Sequence, residues 1–162
     1  MVTPMVSVLT VDDYEPTRYA RTRALRALGC RVLEAKDGRT ALELAVRERP
    51  DILLLDVHLP DFHGFEVCQQ LKADPRTADI PVIHVSATGR GDRFRRESAA
   101  VGAFAYLQEP VSPDELGSCV SPSMPQEKCE TPRRSRGSGP GRFAQGLSPS
   151  GPRNRAPSER AP

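Results

Sequence analysis

The chain has 162 residues, 23 Lys/Arg against 21 Asp/Glu for a formal net charge of +2, and a hydrophobic content of 38%. That length allows one ordinary domain with a real core, and no stretch approaches the roughly 20 apolar residues of a membrane span. Charge and composition divide near residue 117. Residues 1–116 carry 15 Lys/Arg against 18 Asp/Glu, a net of −3, whereas residues 117–162 carry 8 against 3, a net of +5, with eight of the sixteen prolines. The second stretch cannot bury enough apolar surface to offset its chain entropy. The expected organisation is therefore a folded domain over 1–116 and a disordered Pro/Ser/Gly/Arg-rich tail over 117–162, to which the basicity belongs.

Taken in order, Val6–Val11 is a β-branched run that stops at Asp12-Asp13 and predicts a strand. Glu15-Pro16 opens a helix, with proline tolerated in the first turn, and the helix closes at Gly29. Residues 30–35 predict a second strand, Asp37-Gly38 a turn, and 39–49 a helix with Ala41, Leu42, Ala45 and Val46 on one face. Ile52–Leu55 is an uninterrupted aliphatic run ending on Asp56, as expected for a strand covered on both faces. A loop, "VHLPDFHG", leads to a helix over 65–72, then strand 80–87, helix 92–102 and strand 103–107. "SPDE" at 112–115 reads as a capping box with Ser112 as N-cap and Glu115 at N3, so a further helix starts there.

Strand and helix alternate five times, which predicts an α/β fold: a doubly wound, five-stranded parallel sheet joined by right-handed crossovers. In such sheets the functional crevice lies beyond the carboxyl ends of the strands. Asp12, Asp13, Asp56, Ser86 and Glu109 all fall at or just past such ends. Singly, Asp12 reads as a helix cap, Ser86 as a loop hydroxyl and Tyr106 as strand packing. Their joint placement points elsewhere. Carboxylates converging on one crevice raise each other's pKa unless a cation neutralises them, and an all-oxygen site suits Mg²⁺.

"TVDDYEPTR", "ILLLDVHLPDFHGFEVCQQLK", "VIHVSA" and "AFAYLQEP" follow one another in an order and spacing that resembles a response-regulator receiver domain. This is the CheY-like, flavodoxin-like phosphoacceptor module of two-component signalling. The resemblance implies that Asp56 takes a phosphoryl group from a histidine kinase or phosphotransfer protein. It implies that Mg²⁺ is held by Asp13 and Asp56, by the backbone carbonyl of His58, and by Asp12 through a water. Ser86 would then hydrogen-bond the phosphoryl oxygen, and Tyr106 would be the aromatic switch that turns inward with that bond. A module of this kind is an acceptor and not a turnover enzyme. A docking module that is never phosphorylated, or a piece of a longer receiver-containing sensor kinase, are the alternatives.

The chain departs from that pattern in two places. The family lysine before the proline after the fifth strand is Glu109 here. The swap exchanges an attraction for a repulsion, and at about 4 Å and an effective dielectric near 20 one such charge pair is worth roughly 4 kcal/mol before relaxation. Glu109 is expected to swing outward or to be offset by a cation, with Arg90 the candidate, or else to leave a degenerate switch. The last helix, broken by Gly117 and Pro122, is expected to be truncated to a turn or two. The abrupt change there resembles a shifted reading frame, an idea that an intact frame on resequencing would remove.

The remaining features exclude more than they assign. The N-terminus meets Asp12 and Asp13 too early for a signal peptide. Cys30, Cys68, Cys119 and Cys129 form no C-x-x-C pair, which argues for free thiols in the cytoplasm. His58, His63 and His84 match no common zinc spacing. "RRSRGSGPGR" could contact phosphate backbones, but only Phe143 interleaves, so a solvated tail is the expectation over nucleic-acid binding. Oligomeric state is left open, a homodimer included.

Overall fold

A computed structural model of the chain describes residues 5–88 and 91–121. The elements alternate as the sequence predicts: β1 Ser7–Val11, α1 Glu15–Ala27, β2 Arg31–Ala35, α2 Gly38–Glu48, β3 Ile52–Asp56, α3 Gly64–Ala73, β4 Val82–Ser86, α4 Asp92–Ala100, β5 Ala105–Gln108 and α5 Pro113–Val120. All strand pairs are parallel, and the sheet order is β2-β1-β3-β4-β5. The order reverses direction beside β1, so a crevice opens past the carboxyl ends of β1 and β3. Register completes the placement. Val11 lies opposite Leu55 and Asp56 opposite Val85, which brings Asp12, Asp56 and Ser86 to adjacent strand ends.

The apolar runs divide by parity between the two faces of the sheet. Val8, Ile52, Leu54, Ile83 and Val85 join Leu25 of α1 and Leu116, Cys119 and Val120 of α5 in one cluster. Leu9, Val11, Leu53, Leu55 and Val82 join Ala41 and Ala45 of α2 and Val67, Cys68 and Leu71 of α3 in the other. Because both faces are covered, β3 needs no polar alternation, and Leu53, Leu54 and Leu55 are wholly buried.

Helix ends follow local chemistry. Asp37 is the N-cap of α2 and accepts from the Thr40 N–H at 2.8 Å, so the Asp37-Gly38 pair starts a helix where the sequence predicts only a turn. The predicted capping box at Ser112 is present: the Glu115 N–H donates to Ser112 Oγ at 3.2 Å, and the Ser112 N–H donates to Glu115 Oε2 at 2.8 Å. α5 then runs through Gly117 and ends at Val120, four residues beyond the compositional boundary. Burial of Cys119 and Val120 against the sheet explains the extension. The tail from residue 122 onward lies outside the described residues.

One histidine belongs to the core. His84 of β4 is wholly buried, with Nε2 3.3 Å from the Gly64 carbonyl oxygen and Nδ1 2.6 Å from Ser98 Oγ. A carbonyl can only accept, so Nε2 carries the proton and Nδ1 accepts from the serine hydroxyl. Burial pushes the His84 pKa down to about 4, which keeps the ring neutral and ties α3 to α4 through β4.

Gly64 sits where the loop after β3 turns into α3. A Cβ there would lie 2.4 Å from the Asp56 carbonyl oxygen and 2.8 Å from Val57 Cα, both backbone atoms. The Gly64 N–H also donates to the Val57 carbonyl at 2.7 Å. Gly64→Ala is therefore expected to lower stability by about 1–3 kcal/mol, the usual cost of forcing atoms into a packed site. Chemical denaturation measures it, and an unchanged midpoint would show that the loop moves aside freely.

Candidate acidic site

Asp12, Asp13 and Asp56 stand at the mouth of the crevice with one carboxylate oxygen from each within 4.8 Å of the others. Among the described residues this is the only group of three or more His, Cys, Asp or Glu side chains placed to share a metal ion. Each acid arrives by a different route. Asp12 follows β1, is 3% exposed, and accepts from the Tyr14 N–H at 2.9 Å through Oδ1. Asp13 is exposed on the same turn. Asp56 ends β3 half-buried and accepts from the His58 N–H at 3.1 Å.

Burial is the main electrostatic fact of the site. It pushes the Asp56 carboxyl up to about 6, with the neighbouring Asp12 charge adding to the rise and the His58 N–H opposing it. Burial likewise raises Asp12, against the pull of the Tyr14 N–H and of Arg21. Carboxylates that are both desolvated and mutually repelling favour a proton or a cation. The donors are all oxygen, as a hard divalent cation prefers, so the acidic pocket is compatible with such an ion. His84 takes no part in this site, since both its ring nitrogens are engaged in the core.

Ser86 and Tyr106 lie beside the acids. Ser86 ends β4 at 2% exposure, with its Oγ accepting from the Thr88 N–H at 3.3 Å. Tyr106 of β5 is 6% exposed, so the ring is turned into the protein. Burial raises its phenol, and a hydrogen bond with Ser86 partly offsets the rise. The Phe94 ring of α4 lies beside it at 6.4 Å between centroids. Above the pocket, Thr88 Oγ1 stands 3.1 Å from His58 Nε2.

Glu109 does not swing outward. Its carboxylate pairs with the Arg21 guanidinium of α1, whose same Nη2 also reaches Asp12 Oδ2 at 3.2 Å. Arg90 lies outside the described residues. Sequence reasoning missed Arg21, although a signal existed: it sits one helical turn before Leu25, on the stripe that α1 buries.

A family model described as the response regulator receiver domain matches residues 8–121. The response regulator PleD of Caulobacter vibrioides is 44% identical over 105 residues, 64% of this chain and 23% of that protein. The protein PilH of Pseudomonas aeruginosa is 35% identical over 112 residues, 69% of this chain and 92% of that protein. The chain thus spans about a quarter of PleD but nearly all of PilH. Among solved structures, the chemotaxis response regulator CheY4 of Vibrio cholerae superposes with a TM-score of 0.65 at 32% identity, covering 69% of this chain and 92% of that one. No helix among the described residues is long and apolar enough to cross a membrane.

The raised Asp56 pKa sets a pH dependence. In the metal-free protein Asp56 holds its proton more tightly folded than unfolded, so its contribution to stability is full below about pH 3.9 and is lost as pH rises through about 6. Asp56→Asn is expected to raise the metal-free Tm at pH 7.5 and to lose that advantage at pH 4. Adding a divalent cation at pH 7.5 should raise the wild-type Tm more than that of the variant. Paired thermal melts check both, and equal wild-type and variant values at pH 7.5 would contradict the assignment.

Proposed function

The chain belongs to the response-regulator receiver family, and from that membership we propose that it is a phosphoacceptor in two-component signalling, with Asp56 as the acceptor. The observation that carries this reading is the half-buried Asp56 carboxylate at the end of β3, grouped with Asp12 and Asp13. An Asp56 oxygen attacks the phosphorus of a phosphohistidine in line. A P–O bond forms as the P–N bond breaks, and the imidazole leaves with its electron pair and takes up a proton. Asp56 acts from its anionic form, since the protonated acid is a poor nucleophile.

Asp13 and Asp56 are the side chains that would hold Mg²⁺, with the His58 carbonyl alongside and Asp12 through a water. The ion, when bound, would neutralise charge on the transferring group. Ser86 contributes a hydroxyl within the same edge of the sheet, and its contact with Tyr106 supports a role for that ring in reporting the acceptor's state. The product is an acyl phosphate held on the protein, so the domain is a switch and not a turnover enzyme. Its donors are a histidine kinase or a phosphotransfer protein, the partners with which receiver domains interact. This reading carries a cytoplasmic setting, which the buried thiols of Cys30 and Cys68 support.

Glu109 favours a second reading, a docking module that never takes phosphate, because it adds a fourth carboxylate whose charge acts on Asp12. Incubation with Mg²⁺ and a small-molecule phosphodonor, followed by intact-mass measurement, separates the two. A gain of one phosphoryl group that disappears in Asp56→Asn is expected. No gain in wild-type protein shown to be folded by circular dichroism would leave the docking module.

A further inference from the structure

Arg21 is the unusual member of the site. It is a charged residue on the sheet-facing side of α1, only 6% exposed, in a helix whose neighbouring inward residues Thr22 and Leu25 are also buried. A guanidinium taken that far out of water is costly unless anions and acceptors meet it. Three groups do so from two other elements: Asp12 Oδ2 at 3.2 Å, Thr10 Oγ1 at 3.4 Å, and the Glu109 carboxylate from the end of β5. Glu109 stands 88 residues away in sequence. The pairing therefore exists only because the fold sets the end of β5 against α1.

The arrangement reverses the apparent meaning of Glu109. Considered alone, it is a negative charge where an incoming phosphoryl group needs a positive one. In place, it is the outer jaw of a clamp. The Arg21 guanidinium, planar and able to donate in several directions, is gripped between Glu109 and Asp12. Its charge also acts on Asp56, whose carboxylate it stabilises across the crevice. We propose that Glu109 anchors Arg21 as the fixed cation of the acceptor site, so that Arg21 and Glu109 work as one positioning unit on Asp12 and Asp56.

The unit rests on the phosphoacceptor reading for its catalytic meaning, but not for its existence. Glu109 holds Arg21 in one orientation, Arg21 holds Asp12 Oδ2, and the Tyr14 N–H holds Asp12 Oδ1. With both oxygens engaged, the Asp12 carboxylate is fixed in its plane before any ligand arrives. Releasing Glu109 would free the guanidinium to move against Asp56 or to collapse wholly onto Asp12. Installing a lysine at 109 would set two cations against each other and dislodge both.

The test is a cycle of substitutions in which the effect of changing residue 109 reverses sign with residue 21. With Arg21 present, Glu109→Gln and Glu109→Lys are expected to slow phosphorylation by the small-molecule donor at least about threefold and to lower the metal-free Tm by about 4 °C or more. In an Arg21→Met background the same changes at 109 are expected to raise both quantities, because they then remove only a repulsion. Rates are taken at saturating Mg²⁺ and well below every Tm, so that unfolding does not enter them. Glu109→Gln keeps the shape of the side chain and remains informative if Glu109→Lys does not fold.

A faster rate for Glu109→Gln or Glu109→Lys with Arg21 present would overturn the proposal, as would effects at 109 that are the same in both backgrounds. Sign reversal in Tm without any phosphoryl gain in the wild type would retain the anchored arginine and defeat the phosphoacceptor reading instead.

Discussion

The desolvation of acids at one edge of a parallel sheet governs the rest of this molecule. Parallel strands end together, so whatever follows them is gathered, and here β1 and β3 are followed by or end on aspartates. The hydrophobic faces that hold β3 in the centre of the sheet are the same faces that strip water from Asp56. A buried core and a strained carboxylate are thus two outcomes of one placement. The acid is not incidentally perturbed. It is perturbed because the strand carrying it is covered on both faces of the sheet.

Relief of that electrostatic load is distributed over backbone as well as side chains. The Tyr14 and His58 N–H groups each give one hydrogen bond to an aspartate. The only full positive charge paired with these acids among the described residues is that of Arg21, and it comes from a helix and not from a strand end. Arg18, one turn earlier on α1, donates to the Asp12 carbonyl at 2.7 Å. α1 therefore does more than cover one face of the sheet. It fixes the turn after β1 through two guanidiniums, those of Arg18 and Arg21, which hold the carbonyl and the carboxylate of Asp12.

Local signals and long-range ones differed sharply in how well the sequence displayed them. Ile52–Leu55 declared a central strand because four consecutive aliphatics have no other economical use in a domain of this size. Ser112 and Glu115 declared a helix start because both halves of that capping box lie within one turn. The acidic residues were legible for a related reason: each follows an apolar run directly, and parallel topology carries them to one edge. The burial of Arg21 was signalled by its place one turn before Leu25, but its pairing with Glu109 was not legible, since Glu109 lies just past β5 and nothing near either residue names the other. His84 fell within the predicted strand 80–87, and its bonds to Gly64 and Ser98 required the packing of α3 and α4 to be known. The short last helix was legible from its capping box and the breakers after it, and Leu116, Cys119 and Val120, buried together in one core cluster, carry it past Gly117 for its second turn.

Gly64 is committed on every side at once. Its missing Cβ admits the Asp56 carbonyl, its N–H closes on Val57, and its own carbonyl receives His84. Residues 58–63 are consequently a clasp of fixed perimeter, pinned at one end by β3 and at the other by a residue with no freedom left. A longer or shorter segment between Asp56 and Gly64 would have to take up the change within itself, because neither end can shift without breaking the contacts of Gly64.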